Sequence, residues 1–243
     1  MLVVIFFLTT VVGVVTGSNS LIAVPAMFQV GIEPKVAVAT NMFGLTFMAI
    51  GATIPFVRQG RIDFGRISPL VVLTILGSAI GAAFVGLITD QAIKLIVSIA
   101  MISVALFTLL RRDKGVAAAG PVSRGALALT FVVTFLLGIY GGLYSGGYVT
   151  VLTASLVAFF GMTFSEAVAS TKFINIFSSL VATIVFAWQR LIDYKLGIIL
   201  AVTMFAGAYI GAHYATRLND VWLKRIFLAT VFLLALKTIY DFI

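Results

Sequence analysis

The stretch Ala37-Val38-Ala39-Thr40-Asn41-Met42-Phe43 returns as Ala167-Val168-Ala169-Ser170-Thr171-Lys172-Phe173, at an offset of 130 residues. The offset holds without a gap. Phe47 recurs as Phe177, and Ala52-Thr53-Ile54 as Ala182-Thr183-Ile184. Gln59, Ile62 and Asp63 recur as Gln189, Ile192 and Asp193, and Gly77, Gly81, Asp90 and Lys94 as Gly207, Gly211, Asp220 and Lys224. About a dozen identities fall within the 28 positions from 37 to 64, more than a shared apolar composition supplies. The chain therefore reads as one unit duplicated: a first repeat over 1–110, a linker over 111–125 and a second repeat over 126–243.

The repeated unit belongs in lipid. Apolar residues make up 62% of the chain, charged residues only 10%, and the mean hydropathy is +1.20. A soluble domain carries about 25% charged residues, and a water-exposed surface on a fold of this size needs them. The run Pro69–Ile88 has no charged residue and is as long as the span that crosses a bilayer core of about 30 Å. The net charge of +8 does not mark a nucleic-acid partner, because Lys and Arg fall mostly in the short joints between apolar runs, where they act as topology signals. With no cysteine and one histidine, disulfides, thiolate metal sites, thiol chemistry and a histidine metal cluster are excluded or nearly so; no cofactor and no metal are expected. No secretory signal is evident at the N-terminus, so Leu2 to Val30 reads as the first membrane segment.

Apolar runs are expected over 2–30, 36–57, 67–88, 91–110, 126–160, 164–188, 196–217 and 221–242. Two of them, 2–30 and 126–160, are too long for one span of about 20 residues and short for two spans and a turn. Both are interrupted near the middle. The first carries Gly13, Gly17-Ser18-Asn19-Ser20 and Pro25, and the second carries Gly138, Gly141-Gly142 and Ser145-Gly146-Gly147. Non-helical backbone at membrane depth survives only against protein or a polar cavity. Paired interrupted segments are the best sequence pointer to a transporter's binding site. The expected fold is all-α, with each repeat a broken or re-entrant first segment followed by three transmembrane helices. Arginine placement favours inverted halves: Arg58, Arg61 and Arg66 map onto Trp188, Leu191 and Leu196, whereas Arg217 and Arg225 map onto Leu87 and Leu95. Arg190 and Lys195, opposite Gly60 and Gly65, run against that trend.

These motifs resemble the sulfite exporter TauE/SafE family of membrane anion permeases. The family pattern has a glycine-rich stretch in the first segment of each half, then an A-x-G-T-S-like element, then a G-x-[VI]-D joint. Here they read Gly138-Ile139-Tyr140-Gly141-Gly142 with Ser145-Gly146-Gly147; Ala37–Asn41 and Ala167–Thr171; and Gly60-Arg61-Ile62-Asp63 with Arg190-Leu191-Ile192-Asp193. The resemblance covers nearly the whole chain and is carried by the order and duplication of the motifs. The first-half glycine run is thinner, Thr16-Gly17-Ser18-Asn19-Ser20. The resemblance implies transport of sulfite, a sulfonate or a related small organic anion.

The candidate substrate-binding residues follow from position. Lys172 stands about eight residues, hence about 12 Å, into its segment, where a lysine is expensive unless it is paired or faces water. It can anchor an anion; snorkelling or a pair with Glu166 is the plainer reading. Thr40, Asn41, Ser170 and Thr171 are small polar pairs at equivalent positions, suited to oxyanion oxygens or to interhelical hydrogen bonds. Asn175 lies one turn from Lys172 on the same face. Ser18, Asn19 and Ser20, with Tyr144, Ser145, Gly146 and Gly147, sit at the two breaks, where helix ends attract anions. Tyr140, Tyr144 and Tyr148 offer hydroxyls or an interfacial belt. His213 reads as interfacial or packed ahead of a proton-coupling group, and Asp63 and Asp193 as helix caps or topology markers ahead of a gating role. Gly77-x-x-x-Gly81 and Gly207-x-x-x-Gly211 are either lipid-facing dimer seams or internal packing faces.

The expected function is a secondary transporter that moves a small anion across the plasma (inner) membrane by alternating access, as a multi-pass protein whose partners are its anionic substrate and the lipid bilayer, with a homodimer left open. An anion channel, or a membrane protein without carrier activity, is the alternative. An enzyme is not expected: the chain has no H-E-x-x-H, no G-x-S-x-G and no cysteine.

Overall fold

The computed structural model describes residues 2–17, 19–110, 122–219, 221, 222, 225 and 229. The described residues form nine helices and no strand: α1 Leu2–Thr16, α2 Asn19–Gln29, α3 Pro34–Arg58, α4 Phe64–Leu87, α5 Asp90–Leu110, α6 Arg124–Leu143, α7 Tyr148–Phe159, α8 Phe164–Trp188 and α9 Tyr194–Ala215. Five of them, α3, α4, α6, α8 and α9, are long and apolar enough to cross a membrane. Their outward faces carry Val72, Leu76, Ile80 and Phe84 on α4, Val132 and Leu136 on α6, and Ile198 and Val202 on α9. Apolar side chains in such a row suit hydrocarbon, because every backbone bond is satisfied within the helix. The protein is a multi-pass membrane protein.

Both long segments break where their glycines stand. The first opens after Thr16 at Gly17 (φ +70°), and the second opens between Leu143 and Tyr148 at Gly147 (φ +79°). A left-handed φ admits glycine without the penalty a Cβ brings. Among the described residues, the six with positive φ pair at the sequence offset of 130: Gly17 with Gly147, Gly31 with Gly161, and Gly60 with Arg190.

The same offset recurs in side-chain contacts. Asp63 accepts from the Arg66 N–H at 3.0 Å and Asp193 from the Leu196 N–H at 3.1 Å, so both aspartates are N-caps, as expected. Phe64 meets Phe173 edge-on at 5.0 Å, and the equivalent pair Tyr194 and Phe43 meets edge-on at 6.0 Å. The two ring pairs are equivalent at the offset of 130.

The chain's glycines set how closely helices approach. A Cβ on Gly81 would stand 1.9 Å from the Ile139 carbonyl oxygen, and one on Gly211 would stand 2.4 Å from that of Val11. Gly77 lies in the same way against α6, and Gly207 against α1. The two small-residue stripes are therefore internal seams, α4 on α6 and α9 on α1, and not lipid-facing; backbone-to-backbone packing of this closeness needs glycine at each crossing.

Contact registers fix helix directions. α3 runs parallel to α9: Thr40 receives the Asp193 N–H, Gly44 faces Leu200 and Met204, Gly51 faces Phe205, and Arg58 reaches Tyr209. α4 runs parallel to α8, with Phe64 at Phe173, Ser78 at Ser178 and Ala82 at Gln189. α3 and α4 are antiparallel, since Lys35 at the start of α3 donates to Gly86 O at the end of α4.

Element bounds depart little from the expected runs; 2–30 and 126–160 are each two helices, and of these four α6 is the one long and apolar enough to span. Ser18, most of the 111–125 linker, most of the last segment 221–242, and the repeat positions Asp220 and Lys224 lie outside the described residues.

Candidate functional site

The two breaks meet. A Cβ on Gly17 would lie 2.7 Å from Val149 Cβ and 3.0 Å from the Thr150 nitrogen. Tyr144, at the second break, donates its hydroxyl to the Ser20 carbonyl at 3.0 Å. First-turn residues of both half-helices, Asn19 and Ser20 of α2 and Val149 of α7, thus face one another. They share a cavity with Gly17, Leu45, Met48, Ala49, Ser145, Lys172 and Asn175. Its volume is about 10 Å³, about the room a single water needs.

Lys172 is 2% exposed, and its Nζ donates to Gly13 O at 3.1 Å. Of three ammonium donors, that bond occupies one. No carboxylate lines the cavity. Glu166, the acid that the sequence offers as a partner, is committed elsewhere: its Oε2 accepts from the Thr163 N–H at 2.9 Å, and Thr163 Oγ1 accepts from the Glu166 N–H, a capping box at the start of α8. Two helix N-termini, each carrying about half a positive charge, open toward the same space. The cavity is electropositive and buried.

Around Lys172 the polar atoms divide into engaged and free. Asn41 Nδ2 donates to Ser20 Oγ at 2.9 Å and so holds the first turn of α2 from behind. Asn19, 2% exposed, has no partner for either amide atom among the described residues, and Asn41 Oδ1 has none either. Buried polar groups are nearly always bonded, so an orphaned asparagine at a cavity wall marks a place where a ligand or water belongs.

The sequence candidates are sorted by this geometry. Lys172, Asn175, Asn19, Ser20 and Ser145 line the cavity, with Asn41 and Tyr144 one contact behind. Thr40 is turned to the scaffold, where it accepts from the Asp193 N–H at 3.0 Å. Thr171 bonds Thr153 at 3.0 Å and Val168 O at 2.9 Å, and neither it nor Ser170 lines the cavity. Gly146 accepts from the Tyr140 hydroxyl, which shapes the break, and Gly147 turns it. Tyr144 and Tyr148 are 1% and 0% exposed, so they form no interfacial belt. His213 is exposed and bonds Arg217 at 2.8 Å.

Sequence reasoning did not place Gly13, Leu45, Met48, Ala49 or Val149 at the site. The repeat itself carries a usable signal: Leu45 is the equivalent of Asn175, and Val149 of Asn19. Two pairs of equivalent positions, one from each half, therefore wall the same cavity, polar in one member and apolar in the other.

Comparison with known proteins agrees with this architecture. The family described as "Sulfite exporter TauE/SafE" matches residues 2–238. The chain is 26% identical over 239 residues to "Probable membrane transporter protein ORF9" of a Sinorhizobium species, covering 97% of this chain and 90% of that protein. It is 23% identical to a "Probable membrane transporter protein" of Haemophilus influenzae, covering 97% of this chain and 92% of the relative. It is likewise 23% identical to "Probable membrane transporter protein YfcA" of Escherichia coli, covering 98% of this chain and 89% of the relative. No solved structure matches the chain.

Proposed function

The chain belongs to the sulfite exporter TauE/SafE family, a family of membrane transporters and not of enzymes, and on that premise we propose that it is a secondary carrier for a small anion, such as sulfite, a sulfonate or a related organic anion. One observation carries the anion class. A lysine 2% exposed stands in a buried cavity lined by no carboxylate, between two half-helix N-termini. An ammonium left uncompensated in a membrane interior is costly, and a bound anion removes that cost. The N-termini of broken helices add to the same potential.

Alternating access between inverted halves is the mechanism this reading adopts. Consecutive spans joined by five residues, as α8 and α9 are over 189–193, reverse direction across the bilayer. Since α3 runs parallel to α9, it runs opposite to its own equivalent, α8. The same reasoning applies to α4, parallel to α8 and so opposite to its equivalent, α9. Opposed halves around one central site give two related conformations that open to opposite sides. The cavity, with room for about one water, belongs to the occluded state between them.

The test is transport by purified protein in liposomes. Sulfite, thiosulfate, small sulfonates and small carboxylates would be offered outside vesicles preloaded with the same anion. Saturable exchange of one class, lost in Lys172→Met, is the expected result. Unitary currents with no saturable exchange would instead mark a channel.

A further inference from the structure

We propose that the protein moves its anion together with one proton, and that Nζ of Lys172 is the atom that carries this proton. The inference rests on the anion-site reading above and extends it to coupling.

The geometry sets the problem. Lys172 is held at 2% exposure, with one neutral partner, the Gly13 carbonyl at 3.1 Å. The groups facing it from each packed element are uncharged. α1, α2 and α7 contain no charged residue, and their only ionisable side chain is the Tyr148 phenol. α3 contributes Leu45, Met48 and Ala49 to the cavity and keeps its charges, Lys35 and Arg58, at its two ends. The second break contributes Ser145 and, behind Ser20, the Tyr144 hydroxyl, which is occupied by Ser20 O. On α8 itself, Glu166 is closed into its capping box. A charged Lys172 therefore finds no protein anion in the occluded cavity, and about one water's room cannot solvate an ammonium.

A carrier must pass through the occluded state twice per cycle, once loaded and once empty. Loaded, –NH3⁺ faces the anion and the pair crosses compensated. Empty, the same ammonium would cross with only one carbonyl, which is the costly case for a buried charge with its partner removed. The lysine avoids this by crossing as –NH2. On loading, an N–H bond forms at Nζ as a proton arrives with the anion. On release, that bond breaks and both depart on the far side. For a monovalent anion the net movement is one anion and one proton in the same direction, with no net charge.

Methanesulfonate and thiosulfate are suitable probes, because neither ferries protons across lipid as a weak acid does. In proteoliposomes carrying a lumenal pH indicator, an inward gradient of whichever probe exchanges should acidify the lumen by one proton per anion. With methanesulfonate the rate should not change when the membrane potential is clamped. Lys172→Arg keeps a cation that does not discharge. Its homoexchange, in which the site always crosses loaded, should fall less than its net uptake, and the ratio of exchange to net flux should rise at least about tenfold over wild type. Wild-type uptake of either probe without lumenal acidification, or an unchanged ratio in Lys172→Arg, would overturn the proposal and leave the anion site standing. Absence of any exchange with either probe removes the carrier premise and the proposal with it.

Discussion

The ammonium of Lys172 on α8 donates to the carbonyl oxygen of Gly13 on α1, 159 positions earlier, across 3.1 Å. The same oxygen accepts from the Gly17 N–H at 2.8 Å. One atom thus closes the last turn of α1 and tethers the only charged side chain at the cavity. A lysine beside a helix C-terminus is favourable in its own right. The contact therefore has two uses: it joins the second half to the first at the break, and it leaves two ammonium donors for a ligand.

Asn19 and Thr40 separate binding from scaffold. Asn19 lines the cavity with an amide that has no partner among the described residues, so Asn19→Ala should leave the melting temperature unchanged or higher while anion affinity falls at least about tenfold. Thr40 serves the α9 N-terminus, so Thr40→Val should cost about 1 kcal/mol of stability and leave affinity unchanged. Thermal unfolding and equilibrium binding on the two variants check this; the opposite assignment would move the site toward the start of α3.

The α4–α6 seam should not tolerate a methyl group. Gly81→Ala puts a Cβ 1.9 Å from a backbone oxygen, which no rotamer change relieves, and should cost about 3 kcal/mol or more. Gly125→Ala, whose nearest neighbour is Ser123 Oγ at 4.0 Å, should stay within about 0.5 kcal/mol of wild type. Melting temperatures in detergent distinguish the two.

Arg190 occupies a position its equivalent fills with glycine. Its φ is +58° against +64° at Gly60, and both follow helices closed by the same pair of bonds: Gly60 N–H to Val57 O with Arg61 N–H to Phe56 O, and Arg190 N–H to Ala187 O with Leu191 N–H to Phe186 O. This is the helix ending that wants glycine at its left-handed residue. Arg190→Gly should therefore raise stability by about 1 kcal/mol with transport intact. A lower melting temperature would show that the arginine side chain contributes more than its backbone strain removes.

How much of this was legible in the sequence depends on the kind of signal. The breaks at Gly17 and near Gly147 were legible because a glycine-rich interruption in an over-long apolar run has few structural uses. The caps at Asp63 and Asp193 were legible because a short polar residue before an apolar run has one. Lys172 stood out because charge at that depth is expensive. The parting of Thr40 from Asn41 was not legible, since both are small and polar and only helix rotation decides that one bonds α9 and the other Ser20. The destination of the Gly77 and Gly207 stripes was not legible either, because a small-residue face says that something comes close and not what. Gly13 was legible as part of the interruption but not as the partner of Lys172, because that part is played by a carbonyl that every residue has.

The inverted arrangement has a direct test, and the absence of cysteine makes it clean. Arg61 and Lys195 are exposed, one in the joint after α3 and the other in the first turn of α9, beyond the joint that follows α8. Single cysteines at these positions should react with a membrane-impermeant thiol reagent from opposite sides of right-side-out and inverted vesicles. Labelling of both from one side would contradict the opposed directions of α3 and α8.

The central claim is a buried anion site on Lys172, and equilibrium binding tests it most directly. Purified wild type and Lys172→Met would be titrated with sulfite, thiosulfate, small sulfonates and small carboxylates, with folding of both checked by thermal unfolding. The account predicts that one anion class binds wild type and that its affinity falls at least about a hundredfold in Lys172→Met, the scale of losing a buried charged partner. Binding that is equal in the two folded proteins, or absent from both across the panel, would contradict it.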